Sequence, residues 1–253
     1  MSAPMTRIPL EGRRILVTGA SRGIGRALAL GLAASGARVA IAARNTAGLA
    51  ETSALAATPM PMFAMDMLDI ASVQEVVEDA ATTLGGLDVL VNNAGVEQVC
   101  AATDVSEDLW DRIVDTNLKG PFFAAQAAAR VMAGEGGAIV NNCSIASTLG
   151  IATAVPYTSS KHGLLGMTRG LATEWAPLGI RVNAIGPGYF RTAMTEVFYE
   201  NADWQRSMLP RIPAGRFGEL EDLLGAVAFL SSDASAYMTG QILYVDGGFT
   251  SAL

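Results

Sequence analysis

Tyr157 and Lys161 stand four residues apart in Tyr157-Thr158-Ser159-Ser160-Lys161. On a helix this spacing places a phenol and an ammonium on one face, about one turn apart. An ammonium beside a phenol favours the phenolate and pulls its pKa below the ordinary value of about 10. Such a pair is a general acid/base for chemistry near neutral pH. Packing beside a solvated charge produces the same spacing, so the surrounding chain decides what the pair means.

A second constellation is Gly19-x-x-x-Gly23-x-Gly25. It follows an apolar run at 13–18 and opens a helical stretch from 23. Free N–H groups and the positive end of the dipole at a helix start suit a pyrophosphate, and glycines let the backbone come close to it. A purely structural turn is the competing reading. The next apolar run, 39–42, leads into Arg44-Asn45 with no acid. An acid there would accept a hydrogen bond from a free ribose 2′-hydroxyl. Arg44 and Arg22 instead suit a 2′-phosphate, so the expected cofactor is NADP(H), with NAD(H) second.

The elements that must position these residues follow from the apolar pattern. Strands are expected at 13–18, 39–42, 62–65, 87–91, 138–141, 180–185 and 242–245. Helices are expected at 23–35, 46–55, 70–84 (N-capped by Ser72), 106–116 resuming at 122–132, 156–175 and 221–230. Continuous apolar strands alternating with helices imply α/β architecture: a Rossmann-type, doubly wound domain with a seven-stranded parallel sheet covered on both faces. No linker divides residues 1–253, and 1–12 read as a loose leader. The aromatic-rich segment 189–218 breaks the rhythm after a strand's carboxyl end. It reads as a substrate lid, with an ordinary pair of surface helices as the alternative.

The chain has 253 residues, is 51% hydrophobic and only 16% charged, and carries a net charge of -7. That balance excludes a nucleic-acid partner. Cys100, Cys143 and the single histidine, His162, cannot supply a zinc site. Two isolated thiols and no signal-like leader point to a reduced, cytoplasmic protein. No apolar run is long enough to span a membrane.

Four segments in order now carry a resemblance: Thr18-Gly19-Ala20-Ser21-Arg22-Gly23-Ile24-Gly25, Asn92-Asn93-Ala94-Gly95, Tyr157-x-x-x-Lys161, and Pro187-Gly188 with Thr192. Over residues 10–250 the chain resembles the short-chain dehydrogenase/reductase family. The resemblance implies hydride transfer between a nicotinamide and a carbonyl or secondary alcohol, with Tyr157 as acid/base. Lys161 would grip the nicotinamide ribose, and Ser144, thirteen residues before Tyr157, would orient the carbonyl. Asn117 would hold a water near the lysine. Ser21, Ile24, Asn45, Asp66, Met67 and the 93–95 segment would line the cofactor, and Thr192 would touch the carboxamide. A homotetramer is implied too.

Segments 186–192, 213–218 and 243–249 resemble a gluconate 5-dehydrogenase-like branch. A sugar acid would need a cation, for which Arg191, Arg206 and Arg211 are candidates. Val96, Ile145, Leu149, Ile151, Met194 and Phe198 form an apolar candidate pocket that favours a ketone or a 3-oxoacyl thioester. A general carbonyl reductase is therefore the first reading, with sugar-acid dehydrogenase and 3-oxoacyl-carrier-protein reductase behind it. A non-catalytic dinucleotide sensor or scaffold is disfavoured because Ser144, Tyr157 and Lys161 are all present. Two departures stand out: Cys143 before the serine, read as a small buried residue, and the polar pair Asn141-Asn142 on an apolar strand. His162 points about 100° away from Lys161 and is read as non-catalytic.

Overall fold

The computed structural model describes residues 8–192 and 195–252, without the side chains of 197 and 198. Seven strands form one sheet: β1 (Arg14–Thr18), β2 (Arg38–Ala43), β3 (Met62–Ala64), β4 (Val89–Asn92), β5 (Gly137–Asn142), β6 (Ile180–Pro187) and β7 (Ile242–Val245). Their order is β3-β2-β1-β4-β5-β6-β7, and all pairings are parallel. The chain runs outward from β1 to β3, then restarts at β4 on the other side. The crevice beyond the carboxyl ends of β1 and β4 is thus the topological switch point.

The helices are α1 (Gly23–Ala34), α2 (Thr46–Ala54), α3 (Ile70–Leu84), α4 (Glu107–Val114), α5 (Gly120–Val131), α6 (Val155–Trp175), α7 (Glu196–Tyr199), α8 (Ala202–Met208) and α9 (Leu224–Leu230). Successive strand side chains point to opposite faces. Leu16, Leu90 and Ile139 therefore pack with α3, α5 and the end of α6, including Val77, Ala124 and Trp175. Ile15, Val17, Ile41 and Val91 pack with α1, α2 and α9, including Leu32, Leu49 and Val227. Among the described residues, no helix is long and apolar enough to cross a membrane.

Two expected local features change. Asp69, not Ser72, caps α3: its Oδ1 accepts the Ser72 N–H at 3.2 Å. The carboxylate sits one turn back, where it meets the free amides of the first turn. The gap expected between 116 and 122 is no break either. Asp115–Lys119 forms a π-helical turn that joins α4 to α5, a feature often found at functional positions. In the aromatic-rich segment, α7 and α8 hold a ring cluster of Tyr199, Trp204 and Phe217, with Tyr189 against Trp204.

Candidate active site

The glycine turn closes against the end of β4. Gly19 has φ +68°, and a Cβ there would lie 2.7 Å from Ala94 Cα. A Cβ at Gly25 would overlap the Gly19 carbonyl oxygen. Only glycine permits this approach. Thr18 Oγ1 accepts the N–H groups of Asn93 and Ala94, both at 3.0 Å, and Asn93 Nδ2 donates to the Thr18 carbonyl at 2.9 Å. Arg26 braces the turn from below, donating to the Ser21 carbonyl at 2.6 Å and to Thr52 Oγ1 at 2.9 Å. Neither the Thr18 bridge nor the Arg26 brace was expected from the sequence.

The helix starts then differ in a telling way. Asn45, Asp69 and Ser106 cap α2, α3 and α4 with their side chains. Arg22 at the start of α1 makes no such bond, and the first turn of α1 holds no acid. Its amides are left available to an anion.

A cleft of about 480 Å³ lies over this turn. Every residue expected to contact a dinucleotide, from Gly19 to Thr192, lines it, and so do Ser144, Tyr157 and Lys161. The side chains of Arg22 and Arg44 are exposed at its rim and have no hydrogen-bond or ion-pair partner among the described residues. Uncapped amides, a turn that excludes Cβ atoms and two unpaired guanidinium groups fit a phosphorylated dinucleotide. Three expected contacts are engaged elsewhere. Asn45 Oδ1 accepts from Gly48 N–H at 3.1 Å, and Asn93 ties the turn to β4, so they shape the cleft's backbone. Asp66 Oδ1 likewise accepts the Leu68 N–H, at 3.1 Å.

Tyr157 and Lys161 rise from the first turns of α6 into the far end of the cleft. Lys161 is 4% exposed; its Nζ donates to the Asn142 carbonyl at 2.7 Å and lies 5.6 Å from the Tyr157 ring centroid. The expected lowering of the phenol pKa is not what this arrangement produces. Burial pushes the Tyr157 pKa up, the charge of Glu97 and the Cys143 thiol add to it, and only Ser144 acts the other way. Burial also lowers the Lys161 pKa, against the opposing pull of Cys143 and Glu97. Tyr157 is a neutral phenol here, hence a proton donor. Ser144 begins a 3-10 turn and accepts the Ala146 N–H at 3.1 Å.

Asn117 does not reach the cleft. It is fully buried in the π-helical turn. Its Oδ1 accepts the Val96 N–H and its Nδ2 donates to the Val96 carbonyl, both at 2.8 Å, with Ser160 Oγ a further partner at 3.2 Å. The side chain anchors the segment after β4, and its Oδ1 and Lys161 Nζ flank the same residue, 3.3 and 3.8 Å from where a Cβ on Gly95 would stand. The Asn141-Asn142 pair finds its reason in the same layer. Asn141 accepts from Asn92 Nδ2 at 3.1 Å and donates to Thr168 Oγ1 at 2.9 Å. Asn142 donates to Asn93 Oδ1 at 2.9 Å, while its carbonyl holds Lys161. These amides lock β4, β5 and α6 together. Cys143 is buried, and burial raises its thiol pKa, which suits an inert residue. His162 is exposed, its Nδ1 3.0 Å from the Thr158 carbonyl.

At the substrate end, Val96, Ile145 and Ile151 line the cleft, whereas Leu149 does not. Met194 and the Phe198 side chain lie outside the described residues. Tyr189, Tyr199 and Trp204 of the aromatic-rich segment also line the cleft, and so does Glu97, which the sequence did not single out. The arginines considered for a substrate carboxylate are not among the lining residues. Arg191 is paired with Glu196 at 3.0 Å, Arg206 with Asp203, and Arg211 lies over the Phe249 ring at 5.1 Å. Among the described residues, no group of acids, cysteines and histidine could hold a metal ion.

The family model described as enoyl-(acyl carrier protein) reductase matches residues 19–250. The chain belongs to the short-chain dehydrogenase/reductase family. It is 40% identical over 248 residues to gluconate 5-dehydrogenase of Gluconobacter oxydans (strain 621H), covering 96% of this chain and 97% of that protein. A candidate short-chain alcohol dehydrogenase from Sinorhizobium meliloti 1021 superposes with a TM-score of 0.94 at 57% identity, over 97% of this chain and 99% of that one. A gluconate 5-dehydrogenase from Burkholderia cenocepacia J2315, solved with NADP and tartrate, gives a TM-score of 0.93 at 38% identity, over 98% of each chain.

Proposed function

We propose that this protein is an NADP(H)-dependent oxidoreductase that interconverts a carbonyl and a secondary alcohol, with Tyr157 as the general acid/base. One observation carries the reading: a single cleft joins an uncapped helix start and two unpaired arginines at one end to a half-buried Tyr157 and the buried Ser144 and Lys161 at the other. The relative from Burkholderia cenocepacia was solved with NADP, which agrees with the arginine pair.

When bound, the nicotinamide supplies or takes the hydride. The chain does the rest. The glycine turn and the first amides of α1 hold the pyrophosphate, and Arg22 and Arg44 hold the 2′-phosphate. Ser144 donates to the substrate oxygen and stabilises the charge that develops there. Tyr157, a neutral phenol, gives its proton to that oxygen in reduction and takes it back in oxidation. Lys161 holds ribose hydroxyls with the N–H groups not used on Asn142. Asn117 acts one step back, by anchoring Val96. The α7–α8 segment closes the substrate end as a lid, and the protein works in the cytoplasm. A homotetramer is favoured by the apolar side chains of Trp110 on α4 and Val155 on α6, exposed side by side at a shallow depression with Pro156.

A second reading, a dehydrogenase of gluconate type, is favoured by identity to the Gluconobacter oxydans enzyme. A panel of neutral ketones and keto-sugar acids, run with NADPH and NADH in parallel, tests both. Turnover with NADPH above NADH is expected, and a clear NADH preference would contradict the assignment of Arg22 and Arg44.

A further inference from the structure

The substrate end of the cleft carries an acid of its own, Glu97. Glu97 is half-buried on its wall, beside Ser144 and Tyr157. Among the described residues its carboxylate makes no hydrogen bond or ion pair; its neighbours sense it only through space. That influence reaches Tyr157 and Lys161 on one side and Tyr189 on the other. Glu97, the proton donor and the aromatic wall thus line one and the same cleft. The wall is Tyr189, Tyr199 and Trp204; Tyr189 and Tyr199 both pack edge-on to Trp204, at 5.5 Å. The Tyr199 hydroxyl is buried and has no partner among the described residues. Lys161 is the one cation lining this end among them, and its Nζ is drawn back onto the Asn142 carbonyl.

Burial raises the Glu97 pKa and the charge of Lys161 opposes that rise; the ionised carboxylate, in a cleft it shares with aromatic rings, attracts an ammonium and repels a second carboxylate. We propose that Glu97 is a specificity residue that selects a substrate bearing a protonated amine near the reacting carbon, an amino ketone or its amino alcohol, and rejects sugar acids and other carboxylates. The inference rests on the oxidoreductase reading above and narrows its substrate class. Glu97 sets the order of preference among substrates by their charge. Proton and hydride movement stay with Tyr157 and the cofactor.

The test uses the full-length protein with NADPH and three ketones of similar size: aminoacetone, hydroxyacetone and acetoacetate. The wild type is expected to prefer aminoacetone to hydroxyacetone by about tenfold in kcat/KM, the scale of one hydrogen bond to a charged group, with acetoacetate poorest. Glu97→Gln, which keeps the shape, should abolish that preference, and Glu97→Arg should turn it round in favour of acetoacetate. A structural role alone would lower all three rates together. A wild type that prefers acetoacetate, or a ratio of aminoacetone to hydroxyacetone that neither variant changes, overturns the inference. Calorimetric titration with 1-amino-2-propanol, 1,2-propanediol and 3-hydroxybutyrate separates this outcome from failure of the reductase reading. If no ketone is reduced but the amino alcohol binds tightest and loses that advantage in Glu97→Gln, the reductase reading fails and the role of Glu97 stands. Equal binding of the three alcohols removes it.

Discussion

The two ends of β1, β4 and β5 treat charge in opposite ways. At the amino-terminal end, Arg14 grips Asp88 through Nε at 2.9 Å and Nη2 at 2.6 Å, and reaches Glu135 at 3.1 Å and the Gly85 carbonyl at 2.6 Å. Four of the five N–H donors of that guanidinium have an acceptor. At the carboxyl end of the same strands, neutral groups do most of the bracing: Thr18, Asn93, Asn141 and Asn142 tie the turns together, with Arg26 alone adding a charged brace beneath the glycine turn. Of the charged groups there, Arg22, Arg44 and Glu97 are left without partners among the described residues. Charge paired with charge holds the sheet, and charge left open in a cleft is available to a ligand. The comparison separates residues that serve folding from residues that serve chemistry, and each prediction below strains one side of it.

The largest effect is expected at Lys161. Lys161→Met should lower kcat by about a thousandfold, within the range for losing acid–base assistance. Steady-state rates check this; a loss under about tenfold would place Lys161 with the structural residues. Gly25→Ala comes next. The new Cβ meets the Gly19 carbonyl, so the turn must open, and NADPH affinity should fall by about a hundredfold in fluorescence titration. Replacing Arg22 and Arg44 together by Ala should cut the preference for NADPH over NADH by about tenfold or more, with no change in melting temperature, because neither side chain has a partner to lose.

The smallest kinetic effect, and the clearest structural one, is expected at Asp88. Burial pushes its pKa up, but the hydrogen bonds from Arg14 outweigh this and hold it below the ordinary carboxylate value. A depressed folded-state pKa gives stability that is present above the unfolded value and is lost as pH falls through the folded one. Asp88→Asn should therefore cost about 2 kcal/mol at neutral pH, discounted for partial exposure, and the gap between the two proteins should begin to close below about pH 4 and vanish only as pH falls through the folded pKa. Urea melts at both pH values check it, and NADPH affinity should not move.

Much of this division was legible before any coordinates. The strands are continuous apolar runs, and turns such as Gly19–Gly25 carry their own geometry, so the sheet and the cleft follow from local pattern. The Tyr157–Lys161 spacing also places both groups in the cleft correctly. Its electrostatic consequence was not legible, because burial in the folded cleft raises the phenol pKa and Glu97 and Cys143, distant in sequence, add to the rise. Glu97 itself gives no signal in sequence: one acid after Val96 has no spacing partner, and only the topology brings it into the cleft with Tyr157 and Tyr189. Asn141-Asn142 looks out of place on an apolar strand until Asn92, Asn93 and Thr168 arrive beside it. The π-helical turn at Asp115–Lys119 has no breaker residue to announce it, and Asn117 shows its purpose only through Val96.

The raised phenol pKa gives the account its most direct test. A neutral Tyr157 should support ketone reduction at a rate independent of pH between about pH 6 and 8, whereas oxidation, which needs the proton removed, should rise with pH. The decisive measurement is NADPH oxidation by wild type and Tyr157→Phe, side by side, with NADPH affinity determined on both. The account predicts that Tyr157→Phe loses nearly all turnover while binding NADPH within about threefold of the wild type. Near-normal turnover by Tyr157→Phe would contradict it.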